Sequence, residues 1–167
     1  MKKMKKIMAL MLAAIMMMAM SVTVFAAGTT CSLTVNAKGG QDLKGQTINL
    51  YKLFDVTESG SDENAHYAYT VNTTDGYKKA IVSALNNDKI TEDSTDEEIE
   101  NAVSSLGSDN AKEVQNFANA FRKYALKNKV AATKDSGKII AETKTDYQFT
   151  GLEYGYYLVC VGSVNSI

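Results

Sequence analysis

The chain has 167 residues, 18 basic and 19 acidic, for a formal net charge of −1, with two cysteines, one histidine and no proline. Its Lys and Arg are scattered rather than striped, so it carries no electrostatic footprint for nucleic acid. A single histidine and two distant cysteines offer no zinc set, which needs about four ligands at short spacings.

Residues 1–26 open with Lys2, Lys3, Lys5 and Lys6, run apolar from Ile7 to about Val22, and end on small residues. This is the pattern of a secretory signal peptide, with cleavage expected between Ala26 and Ala27. The alternative is an uncleaved anchor, but the apolar run is short of the ~20 residues of a membrane span. Membrane contact is therefore expected only during export. Gly28-Thr29-Thr30 precedes Cys31, with no leucine where a lipid-attachment box has one. The remaining 27–167 suits one domain. Four basic residues leave with the leader, so 14 remain against 19 acidic and the net charge is −5.

Segment 31–37, "CSLTVNA", alternates Leu33 and Val35 with Thr34 and Asn36, as a half-buried strand does. A glycine-rich turn, 38–45, leads to "QTINLYKLFDVTE", 46–58. Both parities of that strand are apolar apart from Lys52, which predicts a central position or a bulge. After a polar loop, "AHYAYTVN", 65–72, places Tyr67, Tyr69 and Val71 on one face.

The period then changes to helical. Tyr77, Ala80, Ile81, Ala84 and Leu85 share one stripe behind Thr74 or Asp75 as cap. "STDEEIENAVSSLG" offers two capping-box spacings, Ser94 to Glu97 and Thr95 to Glu98, and stops at Gly107. The third helix carries Ala111, Val114, Phe117, Ala118, Phe121, Tyr124 and Ala125. Strand character returns over 137–145, 146–152 and 153–162. In the last, Tyr154, Tyr156, Leu158 and Cys160 alternate with Tyr157, Val159 and Val161.

This order predicts a mainly β fold with a helical insertion over about 74–128. The expected architecture is an Ig-like, adhesin-type β-sandwich carrying two to three helices between strands. The first and last strands are expected to be neighbours. An even cysteine count in an exported chain then suggests a Cys31–Cys160 disulfide, worth ~4–5 kcal/mol in the chain-entropy model. The alternative is two separate buried thiols.

Chemistry is sparse. His66 stands beside a strand without a second ligand, and reads as a surface or edge residue. The acidic run 91–100 lacks the order of a calcium loop and suits the positive end of a helix. No glycine-rich phosphate loop occurs. No catalytic, cofactor-binding or metal residue emerges, and no cofactor is expected. Nine tyrosines admit two readings, packing at the core and rim or a sugar-binding face.

The strand "LTVNAKGG", the stretch "GQTINLYKLFDVTESG" with "YAYTVN", a helical insertion and "YQFTGLEYGYYLV" resemble the N-terminal domain of sortase-assembled pilin subunits of Gram-positive bacteria. The resemblance covers essentially the whole chain after the leader. It implies a structural subunit of a cell-surface pilus or fimbria, without turnover activity, serving adhesion and assembly by sortase in the full-length protein. It implies neighbouring subunits and sortase as partners, with host matrix or glycan as a further one, and a secreted, cell wall-attached location. Gly151 and Gly155 would turn the chain into the last strand.

Family members often join strands by an isopeptide bond, in which a lysine attacks an asparagine side chain with help from a carboxyl group. The candidates here are Lys38 or Lys52, with Asn165 as acceptor and Glu142 or Asp55 as helper. Burial would supply the neutral forms. Without proline, the chain lacks the family's Tyr-Pro-Lys-like and Leu-Pro-x-Thr-Gly motifs as usually written. It is therefore expected to be an N-terminal piece of a longer pilin. The alternative is a secreted carbohydrate- or matrix-binding module, which would present coplanar, exposed tyrosines.

Overall fold

The computed structural model describes residues 31–37, 41–59, 66–107 and 111–163. The leader with Ala26 and Ala27, Lys38 and Asn165 lie outside the described residues. The elements are β1 (Cys31–Asn36), β2 (Gln46–Ser59), β3 (His66–Val71), α1 (Tyr77–Leu85), α2 (Asp96–Ser104), α3 (Lys112–Asn128), β4 (Lys134–Lys138), β5 (Asp146–Leu152) and β6 (Gly155–Ser163). This is a mixed α/β fold with its helices set between strands, and the described strands close neither a barrel nor a sandwich.

Strand β2 is central, as its two apolar parities require. Along one edge it pairs with β6, from Gln46↔Ser163 to Asp55↔Gly155. Its other edge is shared end to end. β4 pairs with Thr47 to Leu50 and β3 with Phe54 to Ser59, both antiparallel to β2. β3 and β4 thus lie along one line and run in one direction, as a single strand broken between Asn72 and Thr133. The break is closed by side chains. Thr133 Oγ1 accepts from Lys52 N–H at 2.9 Å, and Asn72 Nδ2 donates to the Lys52 carbonyl at 2.8 Å. The 60-residue excursion between those points holds all three helices.

Two cores lie on opposite faces of this sheet. On one face Ile48, Leu50, Tyr157, Val159 and Val161 meet Leu33, Val35, Phe149 and Leu152 of the β1–β5 pair. On the other, Tyr51, Leu53, Phe54, Leu158 and Cys160 meet Tyr77, Ile81, Ile99, Val114, Phe117 and Phe121 of the helices. Each such large apolar side chain contributes about 1.5–3 kcal/mol when fully buried. The bulge allowed for in the sequence falls at Leu53, since Lys52 opposes Tyr157 while Phe54 opposes Tyr156.

The helix stripes fall where the period puts them. Of the two capping boxes the chain uses Thr95, whose Oγ1 accepts from Glu98 N–H while Glu98 accepts from Thr95 N–H at 2.7 Å. Neither Thr74 nor Asp75 caps α1. The cap is Gly76 at φ +83°, where an added Cβ would also meet Val130 Cγ2 at 2.9 Å.

Three expectations are corrected. The strand placed at 137–145 is β4 at Lys134–Lys138. The chain then leaves the larger sheet for the smaller, through backbone bonds from Ile139 to Gln46 and from Leu43 to Lys144, and turns at Thr143 with φ +53°. The first strand does not neighbour the last; β1 pairs with β5. The Cys31–Cys160 disulfide is absent, and both thiols are free. The parity of β6 is the reason. It turns Cys160 into the helix-side core, whereas Cys31 opposes Leu152 in the layer across the sheet. Burial pushes the Cys160 thiol up to about 12, against the opposing pull of Arg122.

Two free thiols on opposite sides of a sheet give a measurable outcome. Thermal unfolding has the same midpoint with and without dithiothreitol. Cys160→Ser costs about 1–3 kcal/mol for placing a hydroxyl in an apolar site, against under ~0.5 kcal/mol for Cys31→Ser. A midpoint that falls on reduction would restore the bridge.

Candidate functional site

Lys52 is the one buried charged residue among the described residues, at 4 % exposure. It sits in the β2–β6 ladder opposite Tyr157, on the side of the smaller sheet. In a regular strand Asp55, three residues on, would point to the opposite face. The extra residue at Leu53 returns it to the Lys52 side. Lys52 Nζ lies 2.5 Å from Asp55 Oδ1 and 2.7 Å from Glu153 Oε2. Glu153 belongs to the short turn between β5 and β6, and Tyr157 Oη donates to its carbonyl at 2.7 Å. Gly155 makes the room. A Cβ there would stand 2.6 Å from the Phe54 carbonyl and 2.9 Å from two carbons of the Lys52 stem. Gly151 has φ +63° at the end of β5, so it serves the turn and Gly155 the close approach.

The electrostatics fix the state of the cluster. Burial alone would lower the Lys52 pKa. The hydrogen bonds and negative charges of Asp55 and Glu153 together outweigh it, and the lysine is held above its ordinary 10.5. The Lys52 hydrogen bond and charge hold Glu153 below its ordinary 4.5. Burial raises the Tyr157 phenol, with the Cys31 thiol and the Glu153 and Asp55 carboxylates adding to it. The result is an ammonium clamped between two carboxylates. A nucleophilic lysine needs its free amine, and these partners favour the ammonium form.

Of the candidate residues read from the sequence, Lys52 and Asp55 come together. Glu142 pairs instead with Lys44, and both side chains are largely solvent-exposed. Glu153 was missed because it falls in a turn, and only the register of β6 against β2 brings it to Lys52. His66 is exposed at the start of β3, opposite Ser59. Asp96, Glu97 and Glu98 of the acidic run fill the first turn of α2. Asp96 Oδ2 accepts from Val71 N–H at 3.2 Å, joining that helix to β3. No group of three His, Cys, Asp or Glu among the described residues is placed to hold a metal.

The nine tyrosines separate by exposure. Tyr51, Tyr77 and Tyr157 are buried, Tyr69, Tyr124, Tyr147, Tyr154 and Tyr156 half-buried, and Tyr67 exposed. The described aromatic pairs meet at 41° to 72°, tilted or edge-on, so none makes the coplanar platform of a sugar-binding face. No protein-family model matches this chain. No curated protein matches it significantly either.

A structural clamp and a reactive lysine respond differently to substitution. Lys52→Met keeps the stem and stays within ~1 kcal/mol of the wild type, whereas Lys52→Ala, which empties the space, costs about 2–4 kcal/mol. Tryptic mapping should recover the Lys52 segment without a cross-link. Gly155→Ala, which forces backbone and Lys52 apart, costs about 1–3 kcal/mol. The acid limb has a defined sign. The contribution of Glu153, with its pKa held below 4.5, is present above that pH and is lost as pH falls through the lowered value. That of Lys52 is present below 10.5 and is lost as pH rises through the raised value. Glu153→Gln should flatten the acid limb, as read by urea unfolding across pH. An unchanged acid limb would show that the pair does not link folding to pH.

Proposed function

We propose that the chain is the N-terminal domain of a structural subunit of a sortase-assembled surface pilus, exported by its leader and joined in the full-length protein to neighbouring subunits at the cell wall. In this reading it turns over no substrate, and its two sheets are the halves of an adhesin-type, Ig-like β-sandwich. The observation that carries the reading is the β2–β6 ladder. The two segments bearing the resemblance, "YKLF" at 51–54 and "GYYLV" at 155–159, are direct partners through Tyr51↔Leu158, Lys52↔Tyr157, Phe54↔Tyr156 and Asp55↔Gly155. They pair at the centre of the larger sheet, with a core on either face. A stalk module needs such a centre rather than a reactive pocket, and the most chemical cluster present is an ion pair that locks a turn.

The test is on the surface of the source cell. Antibodies raised to this domain should mark filaments in electron micrographs. They should also detect a ladder of high-mass species that survives boiling in detergent and collapses when the sortase is removed. A single monomeric band in the culture medium, unchanged by sortase removal, would overturn the reading.

A further inference from the structure

Where the helix layer ends, the larger sheet leaves part of one aromatic row open. Phe54 on β2, Tyr69 on β3 and Tyr156 on β6 line a cleft of about 60 Å³ together with Glu100, Val103 and Ser104 of α2. Phe54 is 2 % exposed and Val103 4 %, so these two form the floor. Tyr69 and Tyr156 are half-buried at its sides. The Phe54 and Tyr156 rings stand edge to face at 69° with centroids 6.0 Å apart, which makes a corner rather than a flat wall. Ser104 Oγ donates to Glu100 Oε1 at 2.6 Å, which steadies the carboxylate while occupying one of its two oxygens.

We propose that this cleft binds a protonated alkylammonium group, the end of a lysine side chain or of a free alkylamine. Size narrows the ligand first. The cleft is well below the ~300–1,000 Å³ of a site that encloses a whole small molecule, so it takes a side-chain terminus and not a sugar ring. Charge narrows it next. An apolar group pressed against Glu100 would strip water from the carboxylate without replacing it, and an anion would be repelled. A cation meets the carboxylate and the negative faces of the surrounding rings together, the arrangement by which aromatic cages hold ammonium groups. None of the six lining residues is cationic. Asp96, Glu97 and Glu98 on the same helix add a field that draws cations in.

The experiment is a titration of the full chain with butylammonium chloride, with 1-butanol as the uncharged match and sodium chloride as the salt control, followed by ¹H–¹⁵N shifts. Butylammonium should move the resonances of Tyr69, Glu100, Ser104 and Tyr156 saturably, and butanol should not. Glu100→Gln and Tyr156→Leu, each with an unchanged unfolding midpoint, should weaken binding about tenfold. N-acetyl-lysine methylamide separates the sources. Tighter binding than butylammonium assigns the cleft to a lysine of a protein partner, and weaker binding assigns it to a free alkylamine. Equal shifts with butanol, absence of saturable shifts, or binding indifferent to Glu100→Gln would each overturn the proposal.

Discussion

Strand β2 has to satisfy two cores and three neighbouring strands at once, and the extra residue at Leu53 is what lets it do so. Strict alternation from Ile48 and Leu50 would continue to Lys52 and then Phe54 on the side of the smaller sheet, and would send Asp55 into the helices. With Leu53 inserted, Leu53 and Phe54 both reach the helix-side core, and Asp55 comes round to Lys52. The bulge thus exchanges a buried carboxylate among aromatics for a buried phenylalanine. Both Lys52 backbone groups face the edge where β3 and β4 are interrupted. Buried peptide groups require partners, and Thr133 and Asn72 supply them. Thr133 is tied in turn to Tyr77 Oη at 2.9 Å, so the first helix is anchored at the same point.

The buried Lys52 and its outward-facing carboxylates gain their meaning from the strand opposite. In "YYLVCV" every residue from Tyr157 to Val161 is apolar and nearly inaccessible, whichever face it serves. A strand patterned this way does not specify its own register, because a slip by one residue still presents apolar side chains to both cores. Something else must fix it. Gly155 lets the Lys52 stem and the Phe54 carbonyl approach where a Cβ would clash, and in that alignment Glu153 reaches Lys52. At the far end, the Arg122 guanidinium packs over Gly162, in the space that a Cβ would enter. Gly155 and the Lys52–Glu153 contact pin a ladder that hydrophobicity leaves free.

These devices also mark the limit of what was legible in the residues. Periodicity gave β1, β3 and the buried faces of all three helices, because each has one face to the core and its pattern reports that direction, and the two apolar parities of β2 marked it as central. It placed a strand over 137–145 because "KII" is apolar and β-branched. Yet Ile139 is buried and Ile140 is 81 % exposed, as in a chain crossing between layers rather than lying in either. Gly76 holds the cap position of α1 at φ +83° and close to Val130, which favours glycine there, and nothing local announces that contact. The cysteine bridge failed on topology. Which strand neighbours β6 is decided by long-range packing, and two cysteines of suitable context carry no information about layers. Glu153 escaped for the same reason.

The helical block is an insertion by connectivity and an integral layer by energetics, and the two descriptions constrain each other. Asn72 and Thr133 meet at Lys52, so a short link between them would join β3 to β4 as one strand along β2. Such a chain would keep every pair of the larger sheet. It would also expose Tyr51, Leu53, Phe54, Leu158 and Cys160, an apolar face that monomeric proteins rarely leave open. The "LFDV" and "GYYLVC" segments are apolar on the helix side because the helices are there to cover them. The helices, in turn, bury Phe117 and Phe121 against one another and against that face, where Phe121 meets Tyr51. A module whose central strands depend on both outer layers unfolds as one unit, since neither layer can leave without stranding the sheet between them.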